Sequence, residues 1–312
     1  MQYWNLEKNK IIWKVKETHN HKDHIEMSGS KVSLILHYGV NAGKLFLKKQ
    51  IIFPLLRTIP NDTHAHSEVN YDCFKKIFIN NNLEVEKVNE FIFDGVIRIN
   101  SSYGDLVNLT RIIYPSTNES VVWEQIIITN TSTQKISVKT EKQELVTYGR
   151  GTKGSYTFCE KINNSSTVLN PGESFKTQVI NLGYIQKNTP ILTNAEKDLE
   201  ERYNFINKMA NNLVLQTDDE ELNTMFFFSK IRGCESIFKN QCGYLHSPGG
   251  GRYYAAIWTN DQLEYAAPFF PLTGYKRAIE ASLNAFKLFI PFMNDDFHSI
   301  PSSIISEGLD IW

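Results

Sequence analysis

The chain has 312 residues, of which 41% are hydrophobic and 12% aromatic, enough to fill hydrophobic cores, so an intrinsically disordered protein is excluded. Its formal net charge of -1, from 33 basic and 34 acidic residues, excludes a global field that would recruit nucleic acid or an anionic membrane. No run of 18 apolar residues occurs, which excludes a helical membrane span.

The N-terminal segment, residues 1–10, lacks the basic-then-apolar order of a secretory signal. We therefore expect either a cytosolic protein or a chain that begins after a removed signal, and the sequence leaves both open. The four cysteines show no Cys-x-x-Cys pair and no zinc-ribbon spacing, so we expect buried free thiols. A Cys234–Cys242 disulfide is the alternative, and it requires the helix that carries Cys234 to end between the two residues.

Residues 1 to about 190 consist of short segments rich in β-branched and aromatic residues, punctuated by Gly, Asn, Pro and Ser, which predicts β-strands. Alternation such as Ile136-Ser-Val138 favours a two-sheet sandwich with one face in solvent. The segment from Ile128 to Val138 is interpreted as a hairpin with a polar tip. The predicted strands include residues 32–36, 45–47 with 51–53, 91–93, 96–99, 121–128 and 175–180.

After a linker near residue 190, the apolar period changes from two to about 3.6 residues, which predicts helices. Capping boxes mark three helix starts, at residues 193–196, 217–220 and 259–262, and a fourth helix is predicted from about Tyr275 to Met293. We therefore predict two domains, a β-sandwich over residues 1–190 and a helical region over residues 191–312. The positions at helical spacing are Leu199, Tyr203, Ile206 and Ala210, then Leu222, Met225, Phe226 and Ser229, and finally Ala278, Ala281, Ala285, Leu288 and Phe292.

Residues 249–265 combine three glycines, a cluster of aromatic residues and a Trp-x-x-Asp sequence at a predicted helix start. The stretch reads Gly249-Gly-Gly-Arg252-Tyr-Tyr254-Ala-Ala-Ile-Trp258-Thr-Asn-Asp261-Gln-Leu-Glu264-Tyr265. It resembles the opening of the catalytic domain of glycosidases built on a six-hairpin α/α toroid. Glucoamylases have Trp-x-Arg-Asp at this place, and the glucosidase half of glycogen debranching enzymes has Trp-Gly-Arg-Asp. The resemblance covers about residues 243–312, and Thr259-Asn260 replace the arginine of the family pattern.

The resemblance implies a supersandwich-like β-sandwich, a helical linker and the first helices of an incomplete toroid. A complete toroid has twelve helices, whereas residues 195–312 hold about four at ordinary helix lengths. The resemblance further implies that the full-length protein is an exo-acting glycoside hydrolase that binds a carbohydrate substrate and needs no cofactor. Because the glutamate pair of glucoamylases comes from later hairpins, we expect these 312 residues to be inactive alone and to self-associate through the incomplete helical domain.

Asp261 is the leading candidate site residue. The resemblance implies that its carboxylate accepts hydrogen bonds from sugar hydroxyls, which are strong when one partner is charged, or that it serves as general acid. The alternative is a carboxylate that only stabilises the first turn of a helix. Trp258 is the candidate that stacks on a sugar ring, and Tyr254 is a second aromatic candidate.

Four further residues complete the predicted substrate contacts. Arg252 is either a substrate clamp or a surface charge, and Glu264 can share a helix face with Asp261. Glu307 and Asp310 lie in a segment that rims the pocket in glucoamylase-like enzymes. The sequence gives no distance between carboxyl groups, so it identifies no acid and base pair.

Other functions remain open at this stage. A sugar phosphorylase or lyase on the same scaffold would need a phosphate-binding or proton-abstracting site, and no basic cluster is visible in the sequence. A non-catalytic carbohydrate-binding or structural protein is the alternative from another class. The histidines at residues 19, 21, 24, 64 and 66 suggest a metal site, but a solvated polar loop is favoured because zinc requires three or four ligands, so no metal is predicted.

Overall fold

The computed structural model describes residues 3–59, 65–72, 77–83, 85–188, 194–249, 251, 256–296 and 300–305. Strands fill the chain as far as Ile185, and the first helix begins at Ala195, which confirms the predicted order of a β-rich part followed by helices. The strands of this first part are β1 (Asn5–Glu7), β2 (Lys10–Lys14), β3 (Asn20–Ser28), β4 (Ser33–Asn41), β5 (Lys44–Arg57), β6 (His66–Asp72), β7 (Ile77–Ile79), β8 (Asn82–Leu83), β9 (Glu86–Phe93), β10 (Ile97–Tyr103), β11 (Val107–Pro115), β12 (Val121–Asn130), β13 (Ile136–Thr140), β14 (Gln143–Gly151), β15 (Gly154–Ile162), β16 (Ser165–Leu169) and β17 (Ser174–Ile185).

Two sheets form the sandwich. Within the described residues, the larger sheet has 13 strands with the main order β14-β15-β17-β12-β11-β10-β9-β5-β4-β3, and β2 and β6 join it at β9 and β5. The smaller sheet has four strands in the order β16-β13-β7-β8. Alternate residues of β11, β12 and β17, such as Leu109, Ile126 and Val179, pack against Val138 of the smaller sheet. Ile136 and Val138, the alternating residues from which the sandwich is predicted, are both buried in this cluster.

The larger sheet also curls over itself. Phe53 of β5 lies 5.3 Å from Phe158 of β15 between ring centroids, although five other strands separate them in the sheet order. The enclosed space holds paired charges as well as apolar side chains. Lys49 donates to Glu124 at 2.5 Å, and Arg111 also donates to Glu124. Because an unpaired buried charge is costly, these ion pairs fix how the two halves of the sheet face each other.

The hairpin expected between Ile128 and Val138 is wrong. Both edges of β12 are occupied by β11 and β17, so β13 pairs instead with β7 and β16 in the smaller sheet. The connection is held by Asn130, whose side-chain amide donates to the carbonyl oxygens of Gln134 at 2.8 Å and Leu169 at 3.0 Å. The polar segment is therefore a crossing between sheets.

The helical part packs directly on the larger sheet. Phe205, Ile206 and Met209 share one apolar cluster with Tyr114 and Trp123 of the sheet. No helix in the described part of the chain is long and apolar enough to span a membrane. The division into domains 1–190 and 191–312 stays a prediction.

The described elements of the helical part are α1 (Ala195–Asn211), α2 (Glu220–Glu235), β18 (Ile237–Asn240), β19 (Gly243–His246), β20 (Ala256–Trp258), a π turn (Asp261–Ala266), α3 (Ala267–Phe269), α4 (Lys276–Phe289) and β21 (Ser303–Ile305), with 3-10 turns at Phe270–Thr273 and Ile290–Phe292.

Helix α1 begins one residue later than its capping box predicts, and Thr193 of that box lies outside the described residues. Its N-cap is Asn194, which accepts hydrogen bonds from the backbone amides of Glu196 and Lys197. The buried face is also rotated from the predicted one, since it includes Asp198 and Arg202. The predicted positions Leu199, Tyr203 and Ala210 are only partly buried at the edge of this face, and Ile206 is buried.

Helix α2 is capped by Asp219 rather than by Thr217, and its buried side differs from the apolar pattern. Leu222 and Met225 are exposed, whereas Lys230 is buried, because its ammonium group donates to three carbonyl oxygens at the end of α1. In α4 the predicted inward residues Ala278, Ala281 and Ala285 are buried, while Leu288 and Phe292 are partly buried. Cys159 and Cys234 are buried free thiols, so the alternative Cys234–Cys242 disulfide is not formed.

Candidate functional site

Trp258 is held at the end of a short two-stranded sheet. It is the last residue of β20 and lies opposite Ser303 of β21, and its side chain is half-buried. Thr259 continues this pairing, since its amide donates to Ser302 O at 2.9 Å and its hydroxyl donates to Pro301 O. The expected capping box at residues 259–262 is therefore wrong, because the threonine hydroxyl is engaged in the pairing instead of at the helix start.

Asp261 is the first residue of the π turn and is half-buried. Burial raises the pKa of its carboxyl group above the ordinary value, and a hydrogen bond with its own backbone partly opposes this shift. Single π turns inside helices occur frequently at functional sites. The arrangement leaves a carboxyl group that is partly shielded from water three residues after Trp258, and such a group suits either a hydrogen bond to a hydroxyl group or proton donation.

The other predicted residues are placed differently. Glu264 and Tyr265 lie on the same turn as Asp261, but both are exposed. The structure thus gives Asp261 and Glu264 different surroundings. The predicted contacts Arg252, Tyr254, Glu307 and Asp310 lie outside the described residues.

Sequence reasoning missed a buried pair beside Asp261. The side chain of Gln262 is completely buried, and its Nε2 atom lies 3.1 Å from His246 Nδ1 and 3.2 Å from the His246 backbone oxygen. Burial, and then the positive charge of Arg232, lower the pKa of His246 to about 4. The two residues are 16 positions apart, so helical spacing gives no signal for their contact.

The glycine-rich segment follows His246 and returns to the larger sheet. Gly251 has a φ of 79°, in the left-handed region that favours glycine. A Cβ atom at this position would lie 3.4 Å from Ile35 Cδ1 and 3.7 Å from Ile52 Cδ1, so the backbone passes directly over β4 and β5. The glycine therefore serves a close backbone approach to the sheet.

Two other places bear on ligand binding. His19 Nδ1 accepts a hydrogen bond from the Trp13 indole, and the described residues contain no group of three His, Cys, Asp or Glu that could hold a metal ion. A cavity of about 830 Å³ lies between β3 and α2, and its lining includes Met225, Phe228 and Arg232 but none of the predicted site residues. It is thus a second place where a small molecule could bind.

No family model matches the sequence, and no curated protein matches it. Among solved structures, the chain is similar to a protein from the human microbiome described as a kojibiose phosphorylase, with a TM-score of 0.56 and 9% sequence identity. The match covers 93% of this chain and 50% of that protein, so the chain spans about half of its length. At this identity the likeness concerns the fold alone, which in this chain is a β-sandwich followed by helices.

Proposed function

We propose that this chain is the N-terminal, sugar-binding part of a carbohydrate-active enzyme, an exo-acting glycoside hydrolase. The observation that carries the proposal is the half-buried Asp261 carboxyl group, with its raised pKa, on a π turn that begins three residues after Trp258. The fold likeness to a protein described as a sugar phosphorylase supports it. A flat aromatic ring and a hydrogen-bonding carboxyl group within four residues of chain are the side chains that would recognise a carbohydrate.

In this proposal the Trp258 ring lies against the apolar face of a sugar. The Asp261 carboxylate accepts hydrogen bonds from sugar hydroxyls, or its protonated form donates to the glycosidic oxygen. Arg252, Tyr254, Glu264, Glu307 and Asp310 are the proposed surrounding contacts. Hydrolysis needs a second carboxyl group at about 5–5.5 Å for retention or about 6.5–9.5 Å for inversion. We expect that group from further helices of a six-hairpin toroid, so that the 312 residues bind sugar without turning it over.

A sugar phosphorylase is the second candidate, because the fold likeness is to a protein described as one. The two reactions differ in the nucleophile. A hydrolase releases free sugar from the glycoside in water alone, whereas a phosphorylase requires inorganic phosphate and releases a sugar phosphate. Assays of the full-length protein on kojibiose and maltose, with and without phosphate, separate them. A non-catalytic sugar-binding protein would bind these disaccharides and convert neither.

The binding proposal is tested by calorimetric titration of the chain with glucose, maltose and kojibiose. Asp261→Asn keeps the side-chain size but removes the charge, so we expect at least a tenfold rise in Kd with an unchanged Tm, since hydrogen bonds to charged groups contribute about 1.5–3 kcal/mol. Asp218→Asn, the same change at an exposed position just before α2 and outside the proposed contacts, is the matched control, and we expect its Kd within about twofold of the wild type.

Either of two results would overturn the proposal. The first is a wild-type chain that binds none of the three sugars. The second is binding that Asp261→Asn leaves unchanged, with chemical-shift changes at Met225 and Phe228 showing that the sugar occupies the cavity beside α2.

A further inference from the structure

The Gln262 carboxamide joins two segments that both belong to the candidate site. Its Nε2 group has two N–H donors, and the two acceptors within reach are His246 Nδ1 and the His246 backbone oxygen. Because the carboxamide nitrogen only donates, His246 Nδ1 accepts and the ring proton is on Nε2. Gln262 Oε1 is buried and has no hydrogen-bond partner, so within the described residues the side chain acts through its nitrogen alone.

His246 is itself fixed on several sides. Its strand, β19, pairs with β18, where His246 lies opposite Ile237, and the next residue, Ser247, donates its amide to Ser236 O at 3.1 Å. The imidazole packs edge-on against Phe270 at 5.2 Å between ring centroids. The charged group that affects it is Arg232 of α2, which is paired with Glu26 and Glu235. A neutral imidazole in a rigid setting is thus presented to Gln262.

Through these contacts, the Gln262 side chain links the π turn to the strand that leads into the glycine-rich segment. His246 is the last residue before the segment that contains Gly249 and Gly251, and Gln262 directly follows Asp261. A π turn has poorer intrinsic stability than a regular helix and persists where its surroundings hold it. The buried carboxamide supplies such an anchor one residue away from the carboxyl group.

We propose that Gln262 is a positioning residue, whose hydrogen bonds to His246 hold the π turn so that the Asp261 carboxyl group stays half-buried. The expected effect on sugar affinity rests on the proposed function. The positioning of the Asp261 carboxyl group does not require a sugar. It therefore has two separate readouts.

The first readout is the Asp261 carboxyl group. In a chain labelled with ¹³C at aspartate side chains, the raised pKa of Asp261 is measured by NMR titration. Gln262→Met has nearly the same length but no donor, and we expect the pKa of Asp261 to fall towards the ordinary value as the turn relaxes and the carboxyl group becomes hydrated. Leu263→Met is the control on the same turn, at an exposed position, and it should leave the pKa of Asp261 unchanged.

The second readout is the affinity for glucose, maltose and kojibiose, for which we expect at least a tenfold rise in Kd in Gln262→Met and less than twofold in Leu263→Met. If Gln262→Met fails to fold, Gln262→Asn replaces it, since this variant keeps the carboxamide but withdraws it from His246 by one methylene group. An unchanged Asp261 pKa in the folded variant overturns the positioning role, whatever the sugar data show. A lowered pKa in a chain whose wild type binds no sugar supports the positioning role and refutes the proposed function.

Discussion

The indole nitrogen of Trp123, in the middle of the larger sheet, donates a hydrogen bond to the Asp198 carboxylate of α1 at 2.7 Å. Both side chains are buried, so this bond lies in the interior between sheet and helices. One turn away, Arg202 of the same helix donates to the backbone oxygens of Gly95 and Ser28. The helical part is therefore attached to the sandwich by buried polar contacts as well as by apolar packing.

Asp198→Ala should destabilise the protein by about 1–3 kcal/mol, because it leaves the buried Trp123 N–H without its acceptor. Urea unfolding followed by tryptophan fluorescence measures this change. Glu200→Ala, at an exposed position of the same helix, should stay within about 0.5 kcal/mol of the wild type. Equal stability of the two variants would show that the Trp123–Asp198 bond contributes nothing.

Limited proteolysis tests the division into two domains. Lys187 is exposed between the last strand and α1, so trypsin should cut there and give fragments of residues 1–187 and 188–312. Because the two parts share a buried cluster, we expect the fragments to co-elute in gel filtration and to separate only in urea. Separation without denaturant would show that the helical part is an independent domain, and Lys187→Ala should suppress the cut.

Acid should lower the free energy of unfolding, because it protonates a carboxylate in the interior of the larger sheet. Burial by itself would raise the pKa of Glu124, but Lys49 and Arg111 lower it from its ordinary value of 4.5 to about 2. A lowered folded-state pKa contributes stability above pH 4.5, and this contribution, at most about 3 kcal/mol, is lost as the pH falls from 4.5 to 2.

Unfolding free energies of the wild type and Glu124→Gln between pH 7 and pH 2 check this expectation. The variant should be less stable at pH 7 by about 1–3 kcal/mol, because Lys49 and Arg111 each lose one of two carboxylate partners, and its stability should change less with acid. Glu7→Gln, at an exposed position of β1, should follow the wild-type curve. Parallel curves for Glu124→Gln and the wild type would contradict the assignment.

Helix α4 has a second apolar side that faces solvent. Ile279, Leu283, Phe286 and Ile290 follow one another at helical spacing, and Leu283 and Ile290 are more than half exposed. We expect the chain to self-associate through this face, with a sedimentation coefficient that rises with concentration.

The double variant Leu283→Glu/Ile290→Lys should abolish this association without lowering the Tm. Val168→Glu, an equally exposed position on β16 of the smaller sheet, should leave it intact. A wild type that stays monomeric at all concentrations would refute the prediction.

Local sequence patterns predict where strands and helices occur in this fold better than they predict which elements pair with each other. The alternation of Ile136 and Val138 in β13 and the alanines of α4 correctly mark buried residues, because burial on one face imposes a period along the chain. The predicted hairpin between β12 and β13 is wrong, since the pairing of β13 depends on which strand edges are already occupied. Sequence spacing does not show such occupancy.

Buried charges account for much of the remaining difference. Asp198 and Arg202 rotate the buried face of α1, and Lys230 replaces Leu222 and Met225 in the buried face of α2. Each of these charged residues has partners that are distant in sequence. From the sequence alone, a charged side chain is therefore predicted to be exposed. In the candidate site, the sequence alone places Trp258 and Asp261 three residues apart, but it gives no sign of the contact between Gln262 and His246.

The buried polar partners of α1 imply an order of synthesis and folding. Trp123, Gly95 and Ser28 all precede Asp198 and Arg202 in the chain, and Glu235 is the later partner of Arg202. A nascent chain on the ribosome therefore presents a nearly finished docking surface before α1 emerges. Until the sheet is assembled, Asp198 and Arg202 lack the partners with which they are buried. The helices therefore dock last, on a sandwich that has already formed. A defect in a strand such as β12 would then show itself first as a loose helical part.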